Sequence, residues 1–216
     1  MKKIAVLISG RGSNMLGLAK RCREERWPAR IVAVISDRPG AAGLEAAAGL
    51  GLHAEAIDHV AFAERAEFDE ALARRLEELQ VDWIVLAGFM RVLGETFVNR
   101  FAGRIVNIHP SLLPSFPGLH THRRALDAGV RLHGATVHLV TASLDLGPIV
   151  AQAAVPVLDG DDPDRLADRV LAAEHRLYPM ALRWLVEDRI VVEGQRCRLR
   201  DPREGEAQWF VADPSA

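Results

Sequence analysis

The chain has 216 residues, 49% hydrophobic and 26% charged, a balance that excludes a disordered polypeptide and predicts one compact domain over residues 1–216 with enough core to need no disulfide or metal. Its 27 basic and 29 acidic residues leave a formal charge of -2, which excludes a broad basic face for nucleic acid or anionic membrane, so any anionic substrate must be met by a few local groups. Cys22 and Cys197 stand far apart without a Cys-x-x-Cys pattern, so neither a disulfide framework nor a zinc site is expected and the reducing cytoplasm is the expected compartment.

Met1-Lys2-Lys3 and the apolar run after it superficially resemble a secretory leader, but Ser9-Gly10-Arg11-Gly12 interrupts the run without a suitable cleavage site, so Ile4 to Ile8 reads as a first buried strand. No uncharged apolar run approaches the roughly 20 residues of a spanning helix. A helix is predicted over Asn14 to Arg23, a strand over Ile31 to Ile35, an Ala-rich helix over Ala41 to Leu50 closed by Gly51, and a short strand near His53 to Ile57. Glu64 to Leu79 is strongly helical, Trp83 to Leu86 a central strand, Glu95 to Phe101 a short helix and Ile105 to Ile108 another strand. This alternation predicts an α/β fold, a Rossmann-like, mostly parallel sheet with helices on both faces. Leu132 to Thr141 and Ile149 to Val157 read as extended segments joined by a turn, an antiparallel addition near the C-terminus. Pro163 to Glu187 follows as one long helix, then a strand at Ile190 to Glu193 and a polar tail with no readable motif.

Four places carry chemistry. In Ser9-Gly10-Arg11-Gly12-Ser13-Asn14, glycines permit close backbone approach and the amides opening the next helix suit a phosphate. The turn lacks the third glycine of the dinucleotide fingerprint and the ending of a P-loop, and a tight turn with a helix cap by Ser13 accounts for it equally. In Ile105-Val106-Asn107-Ile108-His109-Pro110, Asn107 and His109 are two apart and project together from the carboxyl end of a strand, where open α/β sheets bind ligands. An amide that donates to a developing oxyanion beside an imidazole that moves protons is an acyl-transfer pair, unless the neighbouring loop simply satisfies both groups. The stiff segment Pro110 to Gly118, with three prolines, follows.

The third place is Asp145 in Leu144-Asp145-Leu146-Gly147-Pro148, either a turn residue or a carboxylate beside His109 that orients the ring and favours its charged form. The fourth is Glu174. At about 100° per residue, Leu166, Val170, Ala173, Leu177, Ala181 and Leu185 form an apolar stripe that contains Glu174. A carboxylate facing inward must be paired, with a core arginine on one reading and with vicinal sugar hydroxyls on the other. His120-Thr121-His122 with His133 and His138 invites a metal reading, but no carboxylate or cysteine completes a first shell at familiar spacing.

Gly10-Arg11-Gly12-Ser13-Asn14, Leu86-Ala87-Gly88-Phe89-Met90-Arg91, Asn107-Ile108-His109-Pro110-Ser111-Leu112-Leu113-Pro114, Pro117-Gly118-Leu119-His120-Thr121-His122, Leu144-Asp145-Leu146-Gly147-Pro148 and Glu174-His175 occur in this order. Together they closely resemble the phosphoribosylglycinamide formyltransferase family, the folate-dependent enzymes of purine synthesis, from about residue 3 to residue 190. The resemblance implies formyl transfer from the co-substrate 10-formyltetrahydrofolate to the amino group of glycinamide ribonucleotide, without a metal. It further implies small-molecule substrates only, no nucleic acid and no membrane, and a monomer or homodimer. It implies that Gly12, Ser13 and Asn14 hold the substrate phosphate and that Leu171, Ala172, Ala173 and Glu174 hold the ribose. Arg65, Met90, Arg91, Val92 and Leu93, with Asn107 and Thr141, Ala142, Ser143, Leu144 and Asp145, are implied to line the folate site. Asn107, His109 and Asp145 are implied as the catalytic set, and Arg11 carries no assigned role. Methionyl-tRNA formyltransferase shares part of the pattern but adds a C-terminal RNA-binding domain, and formyltetrahydrofolate hydrolase adds an N-terminal regulatory one. A non-catalytic nucleotide-binding regulator using the first turn and Asp37 would leave Asn107, His109 and Asp145 unexplained.

Overall fold

Five consecutive buried residues, Ile4 to Ile8, form an aliphatic run that is satisfied only in a strand covered on both faces. In the computed structural model, which describes residues 1–212, they lie within β1 (Lys2–Ile8). The chain divides into two compact units, Met1–Asn107 and the chain from Ile108 onward.

In the first unit β1 is followed by α1 (Ser13–Glu24), β2 (Ala29–Ser36), α2 (Ala42–Gly49), β3 (Ala54–Ala56), a 3-10 turn (His59–Ala61), α3 (Arg65–Glu78), β4 (Trp83–Leu86), α4 (Glu95–Arg100) and β5 (Ile105–His109), which runs across the boundary. The strand order is β3-β2-β1-β4-β5, all parallel. The order reverses direction at β1, so the turns leaving β1 and β4 flank a topological switch point, the place where open parallel sheets leave a crevice at their carboxyl ends. Helix α3 opens with a reciprocal capping box between Glu64 and Glu67 and buries Phe68, Leu72, Ala73 and Leu76.

The second unit contains α5 (Thr121–Asp127), β6 (Leu132–Leu139), β7 (Ile149–Pro156), α6 (Pro163–Val186), β8 (Ile190–Glu193), β9 (Arg196–Leu199) and β10 (Trp209–Val211). Strands β6 and β7 are antiparallel, as are β8 and β9, whereas β9 and β10 each run parallel to β7. The expected fold class therefore stands: a mostly parallel sheet with helices between strands and antiparallel additions near the C-terminus. Helix α6 is capped by the Asp162 carboxylate, which accepts from the amides of Asp164 and Arg165, and Pro163 occupies its first turn. It packs on β6 and β7 with Leu166, Val170, Ala173, Leu177, Ala181 and Leu185 all buried, as the helical arithmetic required.

Several expectations need correction. Ser13 is not the cap of α1: Gly12 is, in the left-handed region at φ 74°, and no side chain caps the helix. Glycine adopts that conformation without the penalty a Cβ would carry, so the turn tightens one residue earlier. Strand β6 stops at Leu139 rather than Thr141, because β7 closes the ladder there through the Leu139 amide and the Pro148 carbonyl. Helix α5 and strands β9 and β10 were not expected. Arg196-Cys197-Arg198-Leu199 shows little apolar run, and the tail is fastened instead by Glu206, which accepts from both Arg189 Nη atoms, from Trp184 Nε1 and from the Arg203 amide. The arginine contacts hold the Glu206 carboxyl down to about 2.

Candidate functional site

The first unit presents its candidate residues on two turns. The turn after β1 places Gly12, Ser13 and Asn14 at the opening of α1, where the early amides of a helix carry partial positive charge. Close packing shapes it: a Cβ built on Gly43 of α2 would lie 2.9 Å from the Gly10 carbonyl and 3.2 Å from Gly12 Cα, and the Gly43 amide donates to that same carbonyl at 3.0 Å. The segment after β4 carries Met90, Arg91, Val92 and Leu93. The Arg91 guanidinium lies over the Phe68 ring at 4.9 Å, and the Gly94 amide donates to Asp69 Oδ2 at 2.8 Å. Asp69 is buried, and desolvation raises its pKa against the opposing pull of the Gly94 amide, Arg65 and Arg91. It thus gathers Arg65, at the start of α3, and Arg91 around one carboxylate.

The second unit holds the polar groups suited to proton movement. Asn107, the last residue of the first unit, and His109 stand two apart on β5, and His109 is 6% exposed. Its Nε2 lies 3.1 Å from the Phe116 carbonyl and its Nδ1 3.5 Å from Asp145 Oδ2. Both ring nitrogens therefore face acceptor oxygens. Asp145 adopts a left-handed φ of 54°, and its Oδ2 also accepts from the Gly118 amide at 2.9 Å. His138 Nε2 lies 3.7 Å from Asp145 Oδ1, while its Nδ1 lies 3.1 Å from the Leu139 carbonyl. Burial lowers the pKa of His138 and His122 and pushes His133 down to about 4, which leaves these imidazoles uncharged near neutrality. His122 and His133 meet edge to face at 5.3 Å, whereas His120 is exposed at the start of α5.

The Pro110–Gly118 segment supplies two of these partners, the Phe116 carbonyl and the Gly118 amide, and it is itself fixed from β6 and β7. The buried Thr136 hydroxyl donates to the Ser111 carbonyl at 2.7 Å and accepts from the Leu113 amide at 3.0 Å. Gln152 Nε2 reaches the Leu113 carbonyl at 2.9 Å and Thr136 Oγ1 at 3.0 Å, and Ser111 Oγ donates to the Ser115 carbonyl at 2.6 Å. Such a network rigidifies a segment because every buried member is paired.

Thr141, Ala142, Ser143 and Leu144 lie in the second unit, between β6 and β7, with the Thr141 hydroxyl donating to the Ser143 carbonyl at 3.2 Å. On α6, Glu174 is 7% exposed, as its place in the apolar stripe required. It sits beside the wholly buried Tyr178, whose phenol is pushed well up by burial and further by the Glu174 charge. Ala173 is buried with it, Leu171 is half-buried and Ala172 is exposed. Sequence reasoning does not single out Asp69, Thr136 or Gln152. The usable signal is a polar residue inside an otherwise apolar stripe or strand, as in Gly134-Ala135-Thr136-Val137 and in Asp69 between Phe68 and Leu72.

Residues 2–182 match the model of the family described as formyl transferase. The chain is 44% identical over 210 residues to the phosphoribosylglycinamide formyltransferase of Escherichia coli, covering 97% of this chain and 99% of that one. It is 49% identical over 187 residues to the trifunctional purine biosynthetic protein adenosine-3 of Drosophila melanogaster, covering 86% of this chain but 14% of that longer protein. Among solved structures it resembles glycinamide ribonucleotide transformylase 1 from Symbiobacterium toebii with a TM-score of 0.90 and 51% identity, covering 93% of this chain and 95% of that one.

Proposed function

The chain belongs to the formyl transferase family, and from that premise we propose that it transfers the formyl group of 10-formyltetrahydrofolate to the amino group of glycinamide ribonucleotide, in purine biosynthesis. The observation that carries the reading is the meeting of His109 and Asp145, 36 positions apart in sequence, at 3.5 Å, with Asn107 two positions before His109 on the same strand. Near full-length identity to an enzyme named for this substrate supports the choice of acceptor.

In this reading the neutral amine attacks the formyl carbon, a C–N bond forms, and the carbonyl electron pair moves to oxygen. The Asn107 amide and the protonated His109 donate to that oxyanion, which for His109 Nε2 means exchanging the Phe116 carbonyl for the reacting oxygen. Collapse of the tetrahedral centre breaks the bond to N10 of the folate. The proton lost by the attacking nitrogen reaches N10 by way of the His109–Asp145 pair or a water held by it, so charge balances without a covalent enzyme intermediate. The Gly118 amide and His109 keep the Asp145 carboxylate oriented for this step.

The remaining roles follow the family. Gly12, Ser13 and Asn14 receive the phosphate, Leu171 to Glu174 the ribose, and Arg65, Met90 to Leu93 and Thr141 to Asp145 the folate. Both compact units would then serve one formyltransferase domain that acts on small molecules, as a monomer or homodimer, in the cytoplasm; the unpaired thiols of Cys22 and Cys197 suit a reducing compartment. The deciding experiment follows release of the folate product spectrophotometrically from 10-formyl-5,8-dideazafolate. Turnover should require glycinamide ribonucleotide; the absence of any amine-dependent deformylation would sink the reading.

A further inference from the structure

The roles just given leave out Ser9, yet Ser9 joins the two ligand-bearing turns of the first unit. It ends the path of β1 at 4% exposure. Its amide donates to the Gly88 carbonyl at 3.2 Å, and its Oγ accepts from the Met90 amide at 2.9 Å. The next residue, Gly10, is locked in turn by the Gly43 amide on its carbonyl. The segment after β4 is thus held at one end by Ser9 and at the other by Asp69 through the Gly94 amide. Between these anchors Met90 is 61% and Val92 55% exposed.

We propose that Ser9 is a positioning residue that makes the ribonucleotide turn and the folate segment one mechanical element, so that each substrate binds more tightly when the other is present. The inference rests on the ligand roles proposed above for Gly12 to Asn14 and for Met90 to Leu93. Its physical basis is that ordering a segment costs conformational entropy, and a first ligand that fixes one turn spares the second ligand part of that cost when the two turns share a rigid link. One residue with two bonds across the switch point is such a link, because Ser9 follows β1 and its partners Gly88 and Met90 follow the adjacent parallel strand β4. Asp69 is a contrasting anchor: it holds the same segment from α3, through the Gly94 amide at its far end.

The test is isothermal titration with 5,8-dideazafolate, which has no formyl group to transfer, in the absence and presence of saturating glycinamide ribonucleotide. The wild-type dissociation constant should fall about fivefold when the ribonucleotide is present, the factor that one hydrogen bond of ordinary net strength supplies. In Ser9→Ala the ratio should fall to near one with the melting temperature lowered by about 2 to 12 °C as the Met90 amide loses its acceptor, Ser9→Thr should restore both, and Asp69→Ala should weaken the folate analogue alone while keeping the ratio. Full coupling retained in Ser9→Ala, or wild-type binding of both ligands with a ratio of one, would overturn the inference and leave the proposed activity standing. Failure of the wild type to bind either ligand would instead remove the activity, and the coupling with it.

Discussion

The first unit shapes its candidate turn after β1 chiefly with main chain, whereas the second unit builds its candidate cluster from side chains. Around Gly12 the turn is shaped by close approach of α1 and α2, and its geometry depends on the absence of a Cβ at Gly12 and Gly43. Around His109 the backbone is a plain strand end, and the outcome depends on two sets of paired side chains, His109 and His138 with Asp145, and Thr136 with Gln152. The difference separates two kinds of fragility. A site made of amides tolerates exchange of neighbouring side chains but not added volume, whereas a site made of buried polar side chains tolerates shape-preserving change only while every donor keeps its acceptor.

The largest effect expected from this contrast is at His109. His109→Asn keeps a polar group of similar reach but removes the titrating imidazole, so kcat should fall by roughly 10²-fold to 10⁴-fold, the usual worth of a general acid or base. Ribonucleotide and folate affinities measured by titration should stay within a few-fold of wild type. A variant with near-normal turnover would mean that the second unit contributes shape alone, and the contrast would collapse.

The first unit should respond in the opposite manner. A Cβ on Gly43 would stand 2.5 Å from Ile8 Cδ1, which can rotate away, and 2.9 Å from the Gly10 carbonyl, which cannot move without moving the turn. Gly43→Ala should therefore raise KM for the ribonucleotide by roughly fivefold to tenfold while kcat changes little, with about 1 to 3 kcal/mol of stability lost to overpacking. Gly49→Ala, in the same helix but with nothing within 4 Å of its added Cβ, is the control and should leave both constants unchanged. Equal effects at the two glycines would show that helix stability, not the turn, is being read.

The two units were also unequally legible in the sequence. The parallel strands of the first unit are long aliphatic runs bounded by glycine and polar turns, so β1, β2 and β4 and the helices between them follow from period and punctuation alone. In the second unit, His109 and Glu174 could be placed on their faces because strand and helix periods are local geometry. The pairing of Asp145 with His109 could not, since a contact made by folding back through β6 leaves no trace in spacing. Thr136 and Gln152 escaped for a related reason: each looks like an ordinary strand residue until the chain brings Ser111 and Leu113 against it. Strands β9 and β10 are four and three residues long, and what fastens the tail is the Arg189–Glu206–Trp184 contact rather than a hydrophobic pattern.

The smallest expected effect concerns acid stability and sharpens the comparison without touching turnover. In the second unit His133 is buried and held down to about 4, while in the first unit His53 and His59 are exposed and half-buried. The unfolded chain binds a proton at His133 near the ordinary value of about 6.5, before the folded chain does. The sign follows directly: stability is complete above about 6.5, declines as pH falls below it, and the loss is finished once pH passes below the folded value of about 4. By pH 5.5 the cost should be roughly 1 kcal/mol. Thermal melts between pH 7.5 and pH 5 should therefore fall more steeply for the wild type than for His133→Asn, which has no ring to protonate. Amide exchange should lose protection in β6 at a higher pH than in β1. Parallel loss in both strands, or identical slopes for the two proteins, would show that the burial of His133 does not set the acid limit of the second unit.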